Sequence, residues 1–125
     1  MSPNKQVIET YYANFSKLDR PGVLSCLTDD VEWIEWDDGF PNSGVPMRGK
    51  AAFSQNINDP PGGGSLRIEI KRMTEENNVV IAECIVHVPI KDGDPIMIQA
   101  WDIFELENGK IKRLSSSTTR MKKSA

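Results

Sequence analysis

Histidine and cysteine are nearly missing from this chain of 125 residues, which has one His and two Cys. His87, Cys26 and Cys84 lie far apart and show no ligand spacing, so neither a zinc or iron site nor a disulfide framework is expected. Reduced thiols in a cytoplasmic setting follow from that usage. Basic charge is also short: 15 Lys and Arg against 18 Asp and Glu leave a net charge of −3. That balance provides no basic face for nucleic acid or an acidic membrane. No apolar run approaches the roughly 18–20 residues of a membrane span, and the first residues lack the apolar segment of a signal peptide. The run Gly62-Gly-Gly64 lacks the Lys and Ser/Thr of a phosphate loop and reads as a hinge or a disordered tip. These exclusions leave a soluble chain of one domain, residues 1–125, long enough to bury a core without covalent staples.

The chain that is present has two rhythms. Ser2 reads as an N-cap with Pro3 at the first helical position. Ile8, Tyr11, Phe15 and Leu18 then recur at helical spacing. Asp19 reads as a second cap, with Pro21 in the first turn of a short helix ending near Leu27. Val31 to Trp36 reads as a strand, 39–46 as a loop, and Gly49 to about Ile57 as a third helix. Four strands follow, over 66–74, 78–91, 95–106 and 110–119. Helices followed by an antiparallel meander predict an α+β fold with the helices packed on one face of a curved sheet.

Asp102 stands out in that meander. Along its strand every second residue reads Ile96, Ile98, Ala100, Asp102, Phe104, Leu106, so one carboxyl shares a face with five apolar side chains. Burying a lone carboxylate is costly, which raises its pKa and makes it a candidate acid or hydrogen-bond donor. A tight hairpin at Lys91–Ile96 would pair His87 with Ala100 and Ile85 with Asp102, placing both on that face. His87 there reads as a hydrogen-bonded lining residue. A bulge in the Glu107-Asn-Gly-Lys110 turn would set Leu114 opposite Asp102, with Ser116 and Thr118 following. The other face is expected to carry Val80, Ala82, Cys84, Val86 and Val88 beside Trp101 and Ile103. A sheet apolar on both faces needs a cover, and a second copy of the chain is the simplest.

Four pieces in this order, Tyr11-Tyr-Ala-Asn-Phe15, Leu27-Thr-Asp-Asp-Val-Glu-Trp33, Met47-Arg-Gly-Lys-Ala-Ala-Phe53 and Trp101-Asp-Ile-Phe-Glu-Leu-Glu-Asn-Gly-Lys-Ile111, make nearly the whole chain resemble the nuclear-transport-factor-2-like superfamily. The resemblance is to its ketosteroid-isomerase and SnoaL-like members. It implies a cone of three helices on the concave side of a curved antiparallel or mixed sheet. It also implies Asp102 as the protonated aspartic acid of an oxyanion hole, Tyr11 as its phenolic partner and Glu35 as the carboxylate base. The base position is Glu rather than Asp here. Tyr12 follows Tyr11, so either phenol could face the pocket, and Asp37 shares the Glu35 face as a second candidate base. Trp33, Phe53, Ile85, His87, Phe104 and Leu114 are expected to line the pocket for a small hydrophobic ligand.

Two function classes follow from this pattern. One is a cofactor-free isomerase or cyclase that moves a proton next to a carbonyl, with two donors holding the enolate oxygen. The other is a non-catalytic dimeric module that binds a small hydrophobic ligand. The fold hosts both kinds of protein, so the site must decide between them.

Overall fold

In the computed structural model, which describes residues 1–37, 39 and 41–122, the first helix starts where the sequence caps it. Helix α1 (Pro3–Ser16) has Ser2 as N-cap, whose side chain accepts from the Lys5 amide. Ser2 also donates to Glu75, and Asn4 donates to Glu75 and Asn78, which ties the helix start to the sheet. Asp19 caps α2 (Arg20–Ser25) by accepting from the Gly22 amide at 3.1 Å. Strand β1 (Leu27–Trp36) and the two-residue strand β2 (Met47–Arg48) precede α3 (Lys50–Phe53), which runs into a 3₁₀ turn at Ser54–Asn56. The meander is β3 (Arg67–Glu76), β4 (Val79–Val88), β5 (Ile96–Glu107) and β6 (Lys110–Arg120).

These strands form one sheet in the order β2-β1-β6-β5-β4-β3, antiparallel except for the parallel β1–β6 pair. Ile8, Tyr11 and Tyr12 of α1 bury against it together with Phe53, Val80 and Phe104. The result is the expected α+β cone, three helices on a curved mixed sheet.

Two hairpins turn on residues that tolerate positive φ. Asn77 and Asn78 (φ 51° and 62°) join β3 to β4, and Asn108 and Gly109 (φ 51° and 76°) join β5 to β6, as two-residue turns of the I′ kind. The bulge expected within the second turn lies instead just beyond it, where Glu105 pairs with Arg113 and Leu106 with Ile111. The result keeps Leu114 on the Asp102 face but pairs it with Phe104, and Ser116 is the residue opposite Asp102.

The β4–β5 register departs from expectation. Val88 pairs with Ile96, His87 with Met97 and Ala82 with Asp102. The strands stop at 88 and 96 because Pro89 and Pro95 cannot donate to a ladder, so residues 89–95 form a wide loop rather than a tight turn. Gly62 packs on that loop. Its amide donates to the Pro89 carbonyl at 2.9 Å, and a Cβ on it would sit 2.7 Å from the Ile90 nitrogen. The first glycine of the triplet is thus a close-approach position, not a free tip.

This register exchanges the two faces of β4. Val80, Ala82, Cys84 and Val86 share the concave face with Asp102, and Ile85 and His87 lie on the back with Trp101 and Ile103. Ile85 and His87 are therefore not pocket residues. His87 contacts Arg67 at 2.9 Å and Glu69 at 3.3 Å at the sheet surface.

Candidate active site

Strand parity settles which carboxyl groups face the helices. Trp33 pairs with Leu114 and Glu35 with Ser116 across the parallel β1–β6 ladder, and Ser116 pairs with Asp102. Glu35, Ser116, Asp102 and Ala82 therefore form one row across the concave face. Ile34 and Trp36 point to the back. At the usual strand spacing the Cα positions of Glu35 and Asp102 stand roughly 10 Å apart, with Ser116 between them.

Above this row is a chamber of about 170 Å³ whose walls include Tyr11, Tyr12, Phe53, Leu114, Glu35 and Asp102. Asp102 is 6% exposed. Tyr12 donates to Asp102 Oδ2 at 2.5 Å, whereas Oδ1 is buried without a hydrogen-bond partner among the described residues. Burial pushes the Asp102 carboxyl up; Ser116 and Tyr12 beside it pull the other way, with burial dominant. Once protonated, Asp102 can donate from Oδ1, the atom without a hydrogen-bond partner among the described residues. Both phenols stay protonated: burial, then the Asp102 charge, raises Tyr11 and Tyr12 well above the usual tyrosine value.

Glu35 behaves differently. Burial, followed by the charges of Asp102 and Asp37, raises its carboxyl to about 7. A carboxyl with that value is divided between acid and base near neutral pH, as a proton shuttle requires. Asp37 is occupied elsewhere. Its Oδ1 accepts from the Gly39 amide at 2.8 Å and its Oδ2 from Thr118 at 2.9 Å, so it caps the loop after β1. Its neighbour Asp38 lies outside the described residues.

The remaining expected residues divide. Phe53 and Leu114 line the inner chamber, and Trp33 lines an adjoining one. Phe104 is fully buried behind Tyr11 and Tyr12, with ring centroids at 5.4 and 5.7 Å, and supports the phenols from beneath. Tyr11 and Tyr12 both reach the chamber, and Tyr12 is the one bonded to Asp102. Helical spacing does not choose between them, since Tyr11 stands three and Tyr12 four residues after Ile8. Ser116 and Asn56 also line the site. Ser116 was expected on this face two residues after Leu114, whereas Asn56 arrives by a tertiary approach that leaves no local signal. Among the described residues, no three His, Cys, Asp or Glu side chains gather as a metal site, and no helix is long and apolar enough to cross a membrane.

Comparison with known proteins agrees with this architecture. The model of the SnoaL-like domain matches residues 8–114. Three solved structures superpose over nearly the whole chain. TerC co-crystallised with polyporic acid has 25% identity and a TM-score of 0.74, covering 92% of this chain and 90% of its own. A Mycobacterium tuberculosis LEH-like epoxide hydrolase has 16% identity and a TM-score of 0.73, covering 94% and 83%. RV0760c from Mycobacterium tuberculosis, in complex with estradiol-17beta-hemisuccinate, has 17% identity and a TM-score of 0.74, covering 93% of both chains. A search of curated proteins finds no match. With the cone and its inward row of carboxyls already in place, the match over residues 8–114 is sufficient: the chain belongs to the SnoaL-like domain family of the nuclear-transport-factor-2-like superfamily.

Proposed function

We propose that this protein is a cofactor-free isomerase or cyclase acting by proton transfer next to the carbonyl of a small, largely apolar substrate. The wider fold family includes isomerases and cyclases. The observation that carries the proposal is the pairing of an unsatisfied buried Asp102 Oδ1 with Glu35, raised to about 7, on one row of one cavity.

The substrate carbonyl oxygen accepts from the protonated Oδ1 of Asp102. Ionised Glu35 removes the proton from the adjacent carbon, and the electron pair moves into the carbonyl to form an enolate. Asp102, itself buried, stabilises the charge that develops on oxygen. Glu35 then returns the proton, to a different carbon in an isomerisation. Tyr12 is a positioning residue in this scheme: by donating to Oδ2 it fixes the carboxyl rotamer and leaves Oδ1 as the proton-bearing atom. Tyr11, on the same wall, supplies a second phenol for the oxygen.

The test is exchange of α-protons of simple cyclic ketones with D₂O, followed by NMR. Catalysed exchange is expected, and Asp102→Leu should slow it by about 10²–10³, the cost of one good oxyanion donor. Glu35→Gln should remove it. Absence of exchange across a ketone panel, with the ketones bound in the cavity, would leave a binding module as the function.

A further inference from the structure

Beside the inner chamber lies an outer one of about 340 Å³, and the two meet at Glu35 and Asn56, which line both. Their walls differ. The inner chamber is aromatic and aliphatic apart from its carboxyls, its hydroxyls and the Asn56 amide it shares with the outer one. The outer one has Trp33, Val45 and Met47 together with a rim of four amides, Asn42, Gln55, Asn56 and Asn58. The side-chain amides of that rim make no hydrogen bond to another described residue. The segment bearing three of them is anchored. Ile57 is fully buried, its amide donates to the Ser54 carbonyl at 3.2 Å, and its own carbonyl accepts from Arg20.

Charge is equally informative. Among the described lining residues neither chamber has Lys, Arg or His, and the charged side chains there are Glu35 and Asp102. An anion entering here would lose its hydration with no cation to replace it, beside two carboxyl groups. Amides offer donors and an acceptor together, which matches neutral hydroxyl and carbonyl groups. The inner volume is close to the roughly 150 Å³ that holds one benzene ring.

We infer that the site selects an uncharged, oxygenated ring compound, with one ring in the inner chamber and a hydroxyl- or carbonyl-bearing end at the amide rim. The inference rests on reading the cavity as the small-molecule site, and it goes further by naming the ligand class.

The test is calorimetric binding of α-tetralone, its ring-hydroxylated derivative and its ring-carboxylate derivative. The hydroxyl compound should bind about three- to tenfold more tightly than the parent ketone, the usual yield of one hydrogen bond. The carboxylate should bind more weakly than the parent. Gln55→Leu with Asn58→Leu should abolish the hydroxyl preference, and Gln55→Arg should raise carboxylate affinity about tenfold. A carboxylate that binds as tightly as the hydroxyl compound overturns the inference. So does a hydroxyl preference that survives the two leucine substitutions, or failure of all three ligands to bind. Deuterium exchange on the same ketones keeps the two conclusions apart. Binding in the expected order without exchange overturns the catalytic reading alone, and exchange with a carboxylate preference overturns the ligand class alone.

Discussion

At the residue scale, Glu35 and Asp102 share a row but not a protonation behaviour, and pH separates them. Glu35 has a folded value of about 7 against an ordinary 4.5. The folded state therefore binds its proton more tightly than the unfolded chain does. Its contribution to stability is complete below about 4.5 and is lost as pH rises through about 7. The size of that loss is roughly 3 kcal/mol at most. Glu35→Gln, which has no proton to lose, should equal the wild type at pH 4 and exceed it in denaturant midpoint at pH 8. Asp102 is raised as well, so the same sign applies, and Asp102→Asn should be neutral or stabilising near neutral pH. Catalysis follows the opposite limb for Glu35, because the base must be ionised. The exchange rate should climb with pH through about 7, and an exchange rate independent of pH between 5 and 9 would remove Glu35 from the mechanism.

At the element scale, α1 carries the phenols and β5 carries the acid, so the site depends on how that helix sits on that strand. Tyr12→Phe removes the hydrogen bond between them. It should cost about 1–2 kcal/mol, since Asp102 Oδ2 is left buried without its donor. It should also raise the Asp102 carboxyl further, because the Tyr12 bond lowers it. NMR titration of Asp102 in the variant checks that sign, which a purely packing role for Tyr12 would not produce. The elements that were legible in the sequence were those with local chemistry. Ser2 and Asp19 capped their helices, Asn108 and Gly109 turned their hairpin, and period-two alternation put Asp102 among apolar neighbours. The register of β4 on β5 was not legible, because it depends on Pro89 and Pro95 excluding their loop from the ladder. One error of register parity exchanged the faces, so Ile85 and His87 were expected in the pocket in place of Cys84 and Val86. Glu35 came from the family resemblance, and β1 parity placed it inward. The β2 strand at Met47–Arg48 has too few residues to show any alternation.

At the scale of the whole molecule, the corrected faces bear on assembly. The back of the sheet exposes Ile81, Trp101 and Ile103, each 40% exposed or more, with Ile81 paired to Ile103 and Trp101 two residues before it. These form a continuous apolar patch in mid-sheet. Ion pairs flank it: Arg72 with Glu83 at 3.2 Å beyond β4, and Arg113 with Glu105 at 3.2 Å on the β6 side. A two-fold axis through the patch would set apolar side chains against their own copies and bring each acidic and basic flank within reach of its counterpart, the self-complementarity an isologous interface needs. We therefore expect a homodimer through Trp101 and Ile103. Val86, which the sequence suggested for that interface, lines the cavity instead and is the wrong position to probe. Trp101→Lys places a charge in the patch without touching the site, and should convert dimer to monomer in light scattering at micromolar concentration while ketone binding persists. A wild-type chain that is already monomeric under those conditions would overturn the assignment.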